Sequence, residues 1–298
     1  MGAVGTGELR DEAALAEVLR GLGREVEPLL VARNPDLVSV IHGVAAVPDT
    51  ARSMVDSVRW CDAVVVMETP GAARVANRIG GLTAVAQALS RREVVRVRVD
   101  DRSLLSGLPA ASAEEAANLL RGAGADAGKP VLVVSPKAMA DEWQTLEQVR
   151  ILGVAASAWL RGGGSVVGLA LSPNAGDGSH RIHRTRRDAV LLAEVARAAK
   201  HPVPVVGPLV HPALLKAVVA LAGVVVTARP ETIELAGGAG VPCLGFGWER
   251  SVRERLAEWD MSALPERPSA DDVCGWMAGP GVPAAEQGVT GGGPRRHR

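Results

Sequence analysis

Apolar and polar positions alternate along this chain in two rhythms, one of period near 3.6 and one of short buried runs. From Asp11 to Arg20, Leu15, Val18 and Leu19, with Leu22 just beyond, share one face while charge takes the other, which predicts an amphipathic helix. Val26 to Val31, interrupted by Pro28, predicts a strand. Asn34-Pro35 opens a short helix, Val44 to Val47 a short strand, and Ala51 to Trp60 another helix. Ala63 to Met67 is a continuous apolar run of the length and content of a buried parallel strand, and it ends in the turn Glu68-Thr69-Pro70-Gly71. "EVVRVRVDD" sets Val95, Val97 and Val99 against Arg96 and Arg98, the alternation of a strand at an edge or facing a cleft. Ser112, with Glu115 three residues on, forms a capping box for a helix that has Gly122 near its end. "KPVLVVSP" is the next strand, and Ala138 to Leu152 the next helix.

"RGGGS", Arg161 to Ser165, has linker composition, and the pattern restarts beyond it. Strands are expected at Val166–Leu171, within "HPVPVVGP", at Gly223–Thr227 and at Val241–Phe246. Helices are expected at Thr185–Lys200, His211–Leu221, Glu231–Ala236 and Glu249–Trp259. Strands alternating with helices over short connections make a doubly wound parallel sheet. The expected fold class is α/β, with two Rossmann-like doubly wound domains facing a central cleft. The boundaries fall at 1–160 and 165–280, with 281–298 a disordered tail.

Composition narrows the function classes. At 298 residues and 47% hydrophobic, the chain can bury a large core, and with one Phe and no Tyr that core is built from Ala, Val and Leu. Lys plus Arg balances Asp plus Glu at 33 each, so no broad field draws the chain to nucleic acid or to an anionic membrane. The basic tail Arg295-Arg296-His297-Arg298 follows a glycine triplet and reads as disordered. Cys61, Cys243 and Cys274 form no CxxC pair, which argues against a zinc ribbon or redox pair and fits a reducing compartment. His180 and His183 lack a third ligand at metal spacing, so no metal is expected; with Arg181, Arg184, Arg186 and Arg187 they form a basic patch. No apolar run spans a bilayer and no signal peptide is present, so a cytoplasmic location is expected.

Three stretches then carry a resemblance. "GAVGTGELRDEA" is a glycine loop running into a helix, matching at Gly2, Gly5, Gly7, Asp11, Glu12 and Ala13. "ARNPDLVSVIHGVAAV" matches at Asn34, Pro35, Gly43, Val44 and Val47. "VVVTARPETIELAGGAGVPCLGFGWERSVRERL" matches at Arg229, Ala236, Gly240, Val241, Pro242 and Val252. In order and spacing they resemble the polysaccharide pyruvyl transferase family, whose fold is the two-Rossmann GT-B type. The chain departs from that family's pattern where Glu231 stands for its histidine, Glu68-Thr69-Pro70 for its glycine triplet and Ser251 for its lysine. The family loop follows a strand, and only Met1 precedes it here, so the expectation is either that the true start lies upstream or that the first strand of the N-terminal domain is missing. Residues Met1–Gly7 would then lack a strand partner or borrow one from another subunit, and an exposed sheet edge would invite a homodimer.

The resemblance implies transfer of a pyruvyl group from phosphoenolpyruvate, as co-substrate rather than cofactor, to a sugar or other hydroxyl acceptor. Donor contacts are expected from Arg229 after a buried strand, from Ser172 and Asn174 at a strand end, from His211, which equally suits a polar helix start, and from Glu234 and Trp248, of the kind that binds a ribose and stacks on a ring. The resemblance implies acceptor contacts from Gly5, Gly7, Glu12, Asn34 and Glu68, and acid–base work by Glu231 and Asp11. The residues themselves leave other roles open. Asp11 and Glu12 equally favour a helix dipole, Pro230-Glu231 is ordinary helix-start chemistry, Glu234 equally suits a solvated face, and Trp248 equally suits a packed domain edge. Two alternatives stand beside pyruvyl transfer: a GT-B-type transferase using a nucleotide sugar, because Glu231 replaces the histidine, and a catalytically degenerate glycan- or partner-binding protein, because three motif positions depart from the family pattern.

Overall fold

The computed structural model describes residues 9–22, 26–32, 35–48, 52, 63–68, 93–98, 104–171, 187–207, 209–279 and 282. Within them the chain is α/β, and all the strand pairings are parallel. The described residues form two compact units. One takes the chain up to Pro109 together with the short segment Leu209–Ala213; the other takes Ala110–Leu171, 187–207 and the chain from Leu214 onward.

The first unit runs α1 (Leu9–Gly21), β1 (Leu29–Ala32), α2 (Pro35–His42), β2 (Ala45–Pro48), β3 (Ala63–Glu68), β4 (Glu93–Arg98) and α3 (Leu104–Gly107). β1 pairs with β2, Leu30 opposite Ala46, and β3 pairs with β4, Val65 opposite Val95. Parallel strands need a crossover between them. α2 supplies it for the first pair, opened by Pro35, whose missing N–H is one a helix start leaves unbonded anyway. Leu15, Leu30, Ala32 and Val38 form the core here, packed by Leu19, Val44 and Ala46. The opening glycine loop, the question of a strand before Gly2, and all but Arg52 of the expected helix over 51–60 lie outside the described residues.

The second unit opens with α4 (Ala113–Ala123), where Ser112 and Glu115 make the expected capping box and Gly124 closes the helix at a φ of 97°. β5 (Val131–Ser135), α5 (Glu142–Arg161), β6 (Ser165–Leu169), α6 (Arg187–Ala199) and β7 (Val205–Val206) follow. The chain continues through α7 (Pro212–Ala220), β8 (Ala222–Thr227), α8 (Pro230–Ala239), β9 (Cys243–Phe246), α9 (Arg250–Glu258), β10 (Ser262–Leu264) and α10 (Ala270–Met277). The six strands stand in the order β10-β9-β8-β5-β6-β7. The chain lays β5, β6 and β7 outward in one direction, then returns to the centre and lays β8, β9 and β10 the other way. This is the Rossmann order, and its direction reverses between β5 and β8.

β5 and β6 are buried along their whole length, as strands covered by helices on both faces must be. The core joins Leu132, Val134, Val224 and Val226 of the sheet to Ile151, Leu152, Ala155 and Trp159 of α5 and to Leu192 and Val195 of α6. α5 and α6 pack closely because Gly153 carries no side chain: a Cβ there would stand 2.5 Å from the Ala198 Cβ. The run Gly162–Gly164, of linker composition, turns α5 directly into β6. Gly162 caps the helix, Gly163 adopts a φ of 86°, and Gly164 fits under Trp159. β5 before this run and β6 after it therefore lie side by side in one sheet.

Candidate functional site

Ligands of open parallel sheets bind outside the carboxyl ends of the strands, where the winding reverses. In the second unit that place is the ends of β5 and β8, with Ser135 opposite Thr227. Side-chain hydroxyls stitch these ends together. Ser135 Oγ donates to the Leu169 carbonyl at 3.2 Å, and Thr227 Oγ1 donates to the Ser135 carbonyl at 2.9 Å. Thr227 Oγ1 also accepts the Arg229 N–H at 2.9 Å. The result is a rigid floor made from three adjacent strands.

Arg229 rests in that floor. Its Nε donates to the Pro136 carbonyl at 2.9 Å and its guanidinium pairs with Asp188 at the start of α6. The second Asp188 oxygen accepts the Leu171 N–H at 3.0 Å. Both side chains are deeply buried, 11% and 3% exposed. Sequence reasoning placed Arg229 at the strand end, and it is there. Its charge is met by Asp188, whose role no sequence motif signalled.

Above the floor lies a second ion pair. Lys137 follows β5, Glu249 follows β9, and both strands flank β8, so their side chains meet across its end at 2.5 Å. The two are 29% and 32% exposed. The loop carrying Lys137 is held from below by Gln148 of α5, itself fully buried. The Lys137 N–H donates to Gln148 Oε1 at 2.8 Å and Gln148 Nε2 donates to the Lys137 carbonyl at 2.5 Å. One turn earlier on α5, Thr145 Oγ1 accepts the Met139 N–H at 3.0 Å. Lys137 escaped the sequence reading because its loop, "SPKAMAD", contains no glycine and no phosphate-binding fingerprint.

The remaining donor-side residues separate. Glu231 sits half-buried in the first turn of α8. Glu234, one turn on, is fully buried, 3.7 Å from Arg255, and its charge offsets the burial that pulls the Lys216 pKa down. Trp248 is partly buried beside Phe246, and its Nε1 donates to the Glu266 carbonyl at 2.8 Å. Ser172 and Asn174 lie outside the described residues.

His211 belongs to the first unit, and there it meets Glu12. Glu12 Oε2 is 2.8 Å from Nε2 of His42, both side chains being almost wholly buried. The His211 ring stands edge-on to His42 with centroids 5.3 Å apart, while its Nδ1 accepts the Ala213 N–H at 3.2 Å. Burial lowers the His211 pKa, the His42 charge lowers it further, and Glu12 opposes both. Among the described residues Glu12 Oε1 has no hydrogen-bond partner. Long sequence separation hid this cluster, and His42 at the end of α2 carried no motif of its own. Among the described residues no three metal-ligating side chains are grouped to hold an ion. Asp11 lies in α1 and Glu68 ends β3; Gly5, Gly7 and Asn34 lie outside the described residues. No helix among the described residues is long and apolar enough to cross a membrane.

No family model matches this sequence, and no curated protein matches it either. Among solved structures, the chain is similar to the ADP-heptose LPS heptosyltransferase II of E. coli, at 14% identity and a TM-score of 0.45, over 82% of this chain and 83% of that one. It is also similar to the E. coli heptosyltransferase WaaC solved with ADP, at 13% identity and a TM-score of 0.44, over 93% and 95% of the two chains. A third is S. aureus MnaA solved with UDP, at 12% identity and a TM-score of 0.45, over 93% and 85%. Likenesses of this strength assign no activity, and pyruvyl transfer finds no support among them.

Proposed function

We propose that this chain is a group transferase of the GT-B type whose second unit holds the phosphates of a nucleotide-linked donor at the ends of β5, β8 and β9. Lys137 carries this reading. The first βα loop of a Rossmann sheet is where such phosphates sit, commonly against glycine backbone N–H groups. The loop here has no glycine, Pro136 has no N–H, and the Lys137 and Met139 N–H groups are taken by Gln148 and Thr145, so the charged group it offers an anion is the Lys137 ammonium.

Magnitudes decide between the two cations at this edge. Breaking a buried ion pair by removing one partner costs about 3–5 kcal/mol, so Arg229 and Asp188 stay together. Lys137 and Glu249, each about a third exposed, keep contact with water that Arg229 and Asp188 lack, so their pair lies nearer the surface value of about 0–1 kcal/mol and an incoming phosphate can exchange with Glu249 more cheaply than with Asp188. Arg229 then fixes the floor and Lys137 receives the ligand. A phosphoenolpyruvate donor, implied by the family resemblance, calls for an imidazole where Glu231 stands, and no observation favours it over the nucleotide-linked donor.

Ligand-dependent melting tests the proposal. UDP or ADP should raise Tm, because a ligand at a hundred times its Kd stabilises by about 2.7 kcal/mol, and phosphoenolpyruvate should not. Lys137→Ala should abolish the rise while leaving the ligand-free Tm within a few degrees. A rise with phosphoenolpyruvate alone, or an unchanged nucleotide response in Lys137→Ala, would overturn it.

A further inference from the structure

We infer that Trp143 and Trp248 form the platform on which the base of that nucleotide stacks, beside Lys137, an inference that rests on the donor reading above. The same two segments carry both pairs. Lys137 lies in the β5–α5 loop and Trp143 in the first turn of α5 that follows it, while Trp248 and Glu249 are consecutive after β9. The Trp rings approach to 6.0 Å between centroids at a tilt of 55°, so an aromatic pair bridges the two segments next to the ionic one. A nucleotide presents this same combination, an anion joined to a flat apolar ring.

The two rings differ in how they are held. Trp248 is fixed by its bond to the Glu266 carbonyl and by the Phe246 ring 4.9 Å away. Trp143 is held through its backbone, its N–H donating to the Asp141 side chain that caps α5, and its ring meets that of Trp248. Trp143 is 48% exposed, and Leu146, one turn along α5, is 58% exposed. In a chain with one Phe and no Tyr, leaving a Trp half in water at the ligand edge of the sheet gives up burial that the core would otherwise gain. An exposed apolar surface next to an exchangeable cation marks a place where something apolar and anionic lands. Stacking tolerates any base, since every base has a π-face, so the platform predicts nucleotide binding without a choice between purine and pyrimidine.

Calorimetric titration of the full chain with ADP, UDP and inorganic pyrophosphate tests this. The unmodified protein should bind at least one of the two nucleotides about tenfold or more tighter than pyrophosphate, the usual worth of one stacked base. Trp143→Leu should bring the nucleotide down to the pyrophosphate level and leave pyrophosphate affinity unchanged, while Trp143→Phe keeps part of the preference. Circular dichroism should show both variants folded, the residue being half-exposed already. A nucleotide preference that survives in Trp143→Leu, or equal binding of nucleotide and pyrophosphate by the unmodified protein, overturns the platform and leaves the donor site standing. Failure of all three ligands to bind overturns the donor site and the platform with it.

Discussion

Arg229 invites the obvious test of a ligand-facing cation, substitution by alanine, and the structure predicts that the outcome will be loss of fold stability. Its guanidinium faces Asp188 in a setting where the two side chains are 11% and 3% exposed, and its Nε holds the Pro136 carbonyl. Arg229→Ala removes both contacts and leaves a carboxylate in the interior. Removing one member of such a pair costs about 3–5 kcal/mol. The loss is a large fraction of the about 5–15 kcal/mol that holds an ordinary domain, equivalent to a Tm fall on the order of 10 °C. Urea unfolding followed by tryptophan fluorescence reads it, since Trp159 and Trp248 pack within or against the core of this unit. The double variant Arg229→Met with Asp188→Asn separates charge burial from lost packing. Its Asn still offers an oxygen to the Leu171 N–H, so it should recover at least half of the loss. If Arg229→Ala unfolds within 1 kcal/mol of the unmodified protein while donor binding disappears, the assignment of Arg229 to the floor is refuted and it returns to the ligand site.

Four further outcomes follow from particular positions. Gln148→Leu takes both side-chain partners from the Lys137 backbone at a buried position; it should cost about 1–3 kcal/mol and weaken pyrophosphate binding although Lys137 is intact, measured by unfolding and titration in parallel. Gly153→Ala drives a Cβ to 2.5 Å from Ala198 Cβ and should cost about 1–3 kcal/mol in urea. Gly122→Ala, on the helical turn of α4 with nothing within 4 Å, should stabilise by about 0.5–1 kcal/mol in the same assay. For pH, the His211 pKa is held down by burial and by His42, so the unfolded chain binds the proton more readily. The stability this group contributes is complete above the free value of about 6.5 and is lost as pH falls through that value toward the folded one. Melting of the first unit between pH 8 and pH 5 should show this loss, and His211→Gln should flatten it.

The fold was legible in the sequence wherever the signal was local. Ser112 and Glu115 announce their capping box, the runs at 131–135 and 222–227 announce buried strands, and alternation with helices announces the doubly wound sheet. Strand order was not legible, because nothing in "VLVVS" says that its neighbours will be β6 and β8 and not the strands before it in the chain. Gly162–Gly164 misleads for the same reason. Glycines that loosen a linker and glycines that let a helix turn under a Trp look alike until Trp159 is seen above them. The site divides along the same line. Arg229 could be placed at a strand end from its own surroundings, but whether its charge serves a ligand or the core depends on Asp188, 41 residues earlier in the chain. His211 reads as an ordinary helix start until the chain brings it to His42 and Glu12. In each case the residue's chemistry was visible and its partner was not. The partner decides the role: a cation met by a fully buried carboxylate becomes structure, while one met by a carboxylate still about a third exposed can change partners more readily. That difference in burial is why Lys137, which no motif marked, is the cation assigned to the ligand.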